Sequence, residues 1–179
     1  GKLYKAVGIL DKGHVVEVDR GGLVAGYIGH TTKKTTEKLE EALGGILFID
    51  EAYSLAKGGD DPKDYGKEVI ETILKYMEDN RNKISIIVAG YDNEMDDFID
   101  SNPGLKSRFT KYYNFKNYSV DELTEIFQIF LLKEDYKTGK YILHNYVKDF
   151  LKKYKNNSDP NSFGNGRDIR NIVDQLKLI

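Results

Sequence analysis

Gly45-Ile46-Leu47-Phe48-Ile49-Asp50-Glu51 is the stretch that decides how this chain reads. Four consecutive apolar residues after a glycine are the pattern of a strand buried on both faces, and two adjacent carboxylates stand where that strand ends. Open α/β sheets bind their ligands beyond the carboxyl ends of the strands. At such a place a first carboxylate orients a magnesium ion and a second polarises an attacking water, the division of labour found in phosphoryl transfer. The ordinary alternative is that Asp50 merely caps the next segment, because four apolar residues followed by Asp-Glu are only moderately specific. The complementary phosphate-cradling pattern, Gly-x-x-x-x-Gly-Lys with Ser or Thr after it, does not occur in residues 1–179. Lysine follows glycine at Lys2, Lys67 and Lys140, but Leu3, Glu68 and Tyr141 come next.

Working outward from that strand, residues 14–18 form a short β-branched run, and a loop with Gly21, Gly22, Gly26 and Gly29 follows. Thr31 or Thr32 is placed to cap a helix reaching Leu43. Apolar positions 69, 70, 73, 74 and 77 predict an amphipathic helix over 64–79, after a turn at 57–62. Residues 84–89 are the most hydrophobic strand, and 111–115 read as a last one. The apolar spacing at 3, 6, 7 and 10 reads as the tail of a helix. Alternating strands and helices imply a parallel sheet covered on both faces. From Ser119 the pattern is helical only, with a Ser119/Glu122 capping box and helices over 123–132, 142–154 and 166–178. The expected organisation is an α/β part over 1–118 and a small helical part over 119–179.

Composition narrows the function. Lys plus Arg (27) nearly balances Asp plus Glu (29), which gives no long-range field for nucleic acid or an anionic membrane. With no cysteine there is neither a disulfide framework nor a thiolate zinc site, and three scattered histidines make a weak metal case. No apolar run approaches a bilayer span and no hydrophobic signal segment opens the chain. The expectation is a soluble, cytoplasmic protein.

Three further segments invite chemistry, each beside a plainer reading. Tyr27-Ile28-Gly29, on a flexible loop, suits gripping an extended peptide through non-directional ring contacts; a packed loop tyrosine is the plainer reading. Arg108, in Pro103-Gly104-Leu105-Lys106-Ser107-Arg108-Phe109, is placed to reach a neighbouring subunit's phosphate, or else to pair with Asp96, Asp97 or Asp100. Arg167, in the first turn of the final helix, is a cation where the helix dipole disfavours one. It implies an anion partner or a pair with Asp168 or another carboxylate.

In this order, the segments resemble the AAA+ ATPases of the branch containing the rubisco activase CbbX and stage V sporulation protein K. Residues 12–14, 16–20, 23–29, 45–55, 89–91, 101–105, 107–109, 163–165 and 167–171 carry the resemblance, which runs through nearly the whole chain. It implies an AAA+ parallel sheet with flanking helices, lacking its first, central strand, followed by a helical lid. It also implies that Asp50 is the Walker B magnesium residue, Glu51 the water-activating base and Arg108 the arginine finger. Tyr27-Ile28-Gly29 would be the central-pore loop, and Arg167 the sensor-2 residue that reads nucleotide. The sensor-1 role stays open among Gly90, Tyr91, Asp92 and Asn93. ATP and Mg²⁺ are the implied cofactors, and a hexameric homo-oligomer that threads a polypeptide client is the implied assembly.

The departure from that family is at the amino end, where residues 1–5 align with the end of the helix after the P-loop. The expectation is therefore a core fragment, inactive or very weak as given, with uncovered edges on the strand at 84–89 and on the last strand. A non-catalytic assembly module built from the same surfaces is the alternative. A hydrolase resting on Asp50 and Glu51 alone lacks ligands, because magnesium also relies on substrate phosphates.

Overall fold

The computed structural model describes residues 1–27, 29–57, 65–134, 142–158 and 163–176. They fall into two compact units, Gly1–Tyr113 and Asn114–Ile179. In chain order the first holds α1 (Lys2–Ala6), β1 (Val15–Val18), α2 (Arg20–Leu23), α3 (His30–Glu41), β2 (Ile46–Ile49), α4 (Gly66–Asp79), β3 (Ser85–Val88), α5 (Asp92–Asp100) and α6 (Pro103–Arg108). A 3₁₀ turn, Ala52–Leu55, follows β2.

The sheet has the order β1-β2-β3, all parallel, with Ile46 opposite both Val15 and Ser85. β2 is central because its side chains are the most apolar on both faces: Ile46, Leu47 and Ile49 are buried. Over them α4 places Val69, Ile70 and Ile73, the stripe its sequence spacing predicts, and α3 contributes Leu39.

Several expectations change. Residues 111–115 form no strand, and Tyr112, Tyr113 and Phe115 are 64%, 77% and 93% exposed. A strand exists only through its ladder, and among the described residues β3 pairs with β2 alone, so 111–115 has no neighbour to bond. The helical spacing at 3, 6, 7 and 10 yields only α1, which ends at Val7 before Gly8 turns to φ 72°. Gly29, at φ 78°, caps α3 in place of Thr31 or Thr32. Thr31 is instead fully buried, where its hydroxyl accepts from the Ala25 amide at 3.0 Å. The short helix α6 was not foreseen in the sequence; Asn102 caps it, accepting from the Gly104 amide at 2.7 Å. Beyond Lys57, the turn at 57–62 lies outside the described residues.

The second unit packs α7 (Val120–Lys133), α8 (Ile142–Asn157) and α9 (Gly166–Leu176) around Leu123, Phe127, Leu151, Phe163, Ile169 and Val173. The capping box is present: the Glu122 amide donates to Ser119 Oγ at 3.2 Å and the Ser119 amide to Glu122 Oε2 at 2.8 Å. The Ser119 amide, chiefly, and then its hydroxyl hold the Glu122 carboxyl below its ordinary value of 4.5. A folded-state value below the unfolded one stabilises above the unfolded value and is lost as pH falls through the folded one. In urea unfolding, the stability lost in Glu122→Gln relative to wild type should shrink on acidification below about pH 4. Separately, Ser119→Ala removes the hydroxyl that accepts from the Glu122 amide and should cost about 1 kcal/mol. No described helix is long and apolar enough to cross a membrane.

Candidate functional site

The carboxyl end of β2 carries its ladder one step past the strand. Asp50 N donates to Val18 O at 2.9 Å and Ala52 N to Ala89 O at 3.0 Å, which fixes the Asp50-Glu51 peptide between the ends of β1 and β3. Glu51 adopts φ 49°, ψ 42°, left-handed backbone that non-glycine residues rarely take. Strain of this kind persists where the surroundings enforce it; here the buried Ala52, Tyr53 and Leu55 of the following turn do so. Both carboxylates are exposed, and Asp50 Oδ1 accepts from the Glu51 amide at 3.0 Å.

Tyr53 lies beneath them. Burial, with the negative charges of Glu51 and Glu94 behind it, pushes its phenol up to about 12. Its ring lies 6.2 Å from that of Tyr91, with Lys57 Nζ 4.3 Å from its centroid; Lys57 also pairs with Glu94 at 2.8 Å. Gly90 makes room for this ring, since a Cβ there would stand 2.6 Å from Tyr53 Cδ1. Sequence reasoning passed over Tyr53; its one signal was its place two residues after Glu51. Of the sensor-1 candidates, Tyr91 packs on Tyr53 while Asp92 and Asn93 open α5.

Among the described residues no three His, Cys, Asp or Glu side chains gather to hold a metal by themselves. An exposed Asp50 with one oxygen on its neighbour's amide fits magnesium, which takes one or two carboxylates and completes its shell with phosphates and water.

The glycine-rich loop is anchored to this site and to α3. Arg20 Nη1 donates to Ser54 O at 2.6 Å, and Asp19 caps α2 by accepting from the Gly22 amide at 2.8 Å. Lys34 Nζ donates to Gly21 O and Val24 O at 2.6 and 2.9 Å, and the Thr35 hydroxyl to Leu23 O at 3.2 Å. Beyond these ties Tyr27 is 76% exposed, its ring 6.1 Å from His30. Ile28 lies outside the described residues, and Gly29 turns the chain into α3.

Arg108 ends α6 and does not meet Asp96, Asp97 or Asp100. Its Nη2 reaches Glu78 Oε2 at 3.2 Å, and Asp100 is taken by Lys106 at 2.8 Å. Arg81, chiefly, and then Arg108 hold the Glu78 carboxyl below its usual range. In the second unit, Arg167 is exposed in the first turn of α9 and forms no ion pair among the described residues. Asp168 is not paired with it; Asp168 Oδ2 accepts from the Gly164 amide at 2.9 Å.

A parallel sheet with paired carboxylates at its ligand-binding edge, followed by a separate helical unit, is the frame of an AAA+ ATPase. The chain belongs to the AAA family, the ATPases associated with various cellular activities, whose domain matches residues 3–117, and the AAA lid domain matches residues 119–178. It is 45% identical to stage V sporulation protein K of Bacillus subtilis over 175 residues, 98% of this chain and 53% of that protein. With the chloroplastic ribulose bisphosphate carboxylase/oxygenase activase of Cyanidioschyzon merolae it shares 42% over 176 residues, 98% of this chain and 58% of that one. Protein CbxX of Cupriavidus necator is 40% identical over 180 residues, covering 99% of this chain and 54% of its own length. The chain thus spans about half the length of these curated relatives. The FIGL-1 AAA domain in complex with ADP superposes with a TM-score of 0.57 at 16% identity, over 86% of this chain and 48% of that one, a likeness of fold.

Proposed function

We propose that this chain is the Walker B, pore-loop and lid portion of an ATP-driven, ring-forming polypeptide remodeller. The observation that carries the reading is Asp50-Glu51, held at the carboxyl end of a central parallel strand with Glu51 in left-handed backbone. Asp50 would hold the magnesium ion. Glu51 takes the proton of the attacking water at its carboxylate, Arg108 reaches from one subunit to the next, and Arg167 senses the bound phosphates. Tyr27, Ile28 and Gly29 contact an extended client at the centre of a homo-oligomer, for which a hexamer is the family expectation. When bound, ATP with Mg²⁺ supplies the transferable phosphoryl group.

The edge of β3 that no strand covers among the described residues, where Ile87 is 40% exposed, and the exposed Tyr112 and Tyr113 support one further element of this reading. They accept an additional parallel strand bearing the phosphate-cradling loop, which residues 1–179 do not contain. The 179-residue chain then binds and turns over ATP weakly or not at all, because phosphate contacts supply most of the binding and alignment.

Calorimetric titration with ATP and Mg²⁺ tests this on residues 1–179 and on a chain extended at its amino end through a phosphate loop. Binding by the extended chain alone is the expected result. Equal binding by both would mean that the phosphate site is built from other residues. Assembly indifferent to nucleotide, seen by size exclusion of the extended chain, would favour a non-catalytic assembly module.

A further inference from the structure

Among the described residues Asn165 is one of three non-glycine residues in left-handed backbone, at φ 49°, two positions before Arg167. Its side chain is spent on the segment that enters the helical unit. Asn165 Oδ1 accepts from the Tyr118 amide at 3.0 Å, and Nδ2 donates to Asn117 Oδ1 at 2.7 Å. Lys155 Nζ, from α8, donates to Tyr118 O at 2.5 Å. Both polar groups of the Tyr118 peptide are thus bound by the helical unit, one of them at the base of α9.

The same short segment is tied to the first turn of α9 through its main chain. Ile169 N donates to Asn165 O at 3.1 Å and Arg167 N to Gly164 O at 2.9 Å. Asn165 therefore stands at a junction with 117–118 on one side and the Arg167 turn on the other. Asparagine suits it for two reasons. It tolerates left-handed backbone better than most residues, and its amide offers a donor and an acceptor together.

We propose that Asn165 is a positioning residue: it fastens residues 117–118 to the first turn of α9, so that seating a nucleotide phosphate at Arg167 immobilises the linker into the helical unit. The coupling rests on the sensor role given to Arg167 above; the clasp itself does not. An anion at Arg167 orders the first turn of α9, and the Asn165 side chain passes that order to the Tyr118 peptide. Without the side chain the two ends of the clasp fluctuate independently.

Amide hydrogen exchange at Tyr118 reads the clasp directly. In residues 1–179, Asn165→Gly keeps the left-handed backbone and should speed Tyr118 exchange about fivefold, the factor one hydrogen bond of ordinary net strength sustains. Asn165→Asp retains an oxygen acceptor and should keep Tyr118 protected. Unchanged Tyr118 exchange in Asn165→Gly, with the α7 and α9 core amides still protected, would overturn the clasp.

The coupling is read in the extended chain with a non-hydrolysable ATP analogue and Mg²⁺, binding being measured separately by calorimetry. Added protection at Tyr118 in wild type but not in Asn165→Gly, at retained affinity, supports it. Equal added protection in both overturns it while leaving the proposed function standing. Failure of the extended chain to bind the analogue overturns that function and the coupling with it.

Discussion

Glu51→Gln, placed in a chain extended through its phosphate loop, should lower ATP turnover by about 10²- to 10⁴-fold, the usual contribution of a positioned general base. The substitution is nearly isosteric, on an exposed side chain, and the turn that enforces φ 49° is built from Ala52, Tyr53 and Leu55, which stay in place. Folding and nucleotide affinity should therefore survive. The signature is a fall in kcat with little change in KM, as expected for an interaction made only in the transition state. Steady-state hydrolysis beside calorimetric ATP affinity checks it. Turnover left within about twofold of wild type would remove Glu51 from the chemistry, since a working base cannot be lost at so small a cost.

What the sequence could reveal depends on how local each cause is. The run 45–51 announces its strand because burial on both faces needs only consecutive apolar residues, and α4 announces itself through its stripe at 69, 70, 73, 74 and 77. The Ser119/Glu122 box is equally local, with both partners in one turn. Residues 111–115 misled because Tyr112, Tyr113 and Phe115 are types enriched in strands, while the ladder that makes a strand is set by neighbours far along the chain. Thr31 misled similarly: a hydroxyl near a helix start reads as a cap, and only the folded loop shows Ala25 presenting its amide to it. The partner of Arg108 lay thirty residues upstream at Glu78. Nearby aspartates were the natural guess from sequence, but the geometry of α4 against α6 decided otherwise. For the candidate site, residue types and order were legible. The left-handed backbone of Glu51 and the tyrosine beneath it were not.

Arg108→Ala should reduce turnover of the extended assembly about a thousandfold or more, the range an arginine finger commands. Loss of structure does not account for such an effect. Arg108 is 31% and Glu78 47% exposed at their side chains, and a solvent-screened pair of this kind adds little to stability. Glu78 moreover keeps Arg81 as a partner when Arg108 is removed. Action of Arg108 on the neighbouring subunit's phosphate, as proposed above, is tested by mixing variants. In an assembly of Arg108→Ala and Glu51→Gln chains, a site with intact Glu51 beside a neighbour with intact Arg108 is complete only if the arginine acts across the interface. Random mixing at equal amounts would restore roughly a quarter of the sites. Hydrolysis should therefore reappear on mixing two chains that are each inactive alone. If the mixture stays as inactive as its components although mass measurement shows mixed assemblies, Arg108 serves its own subunit.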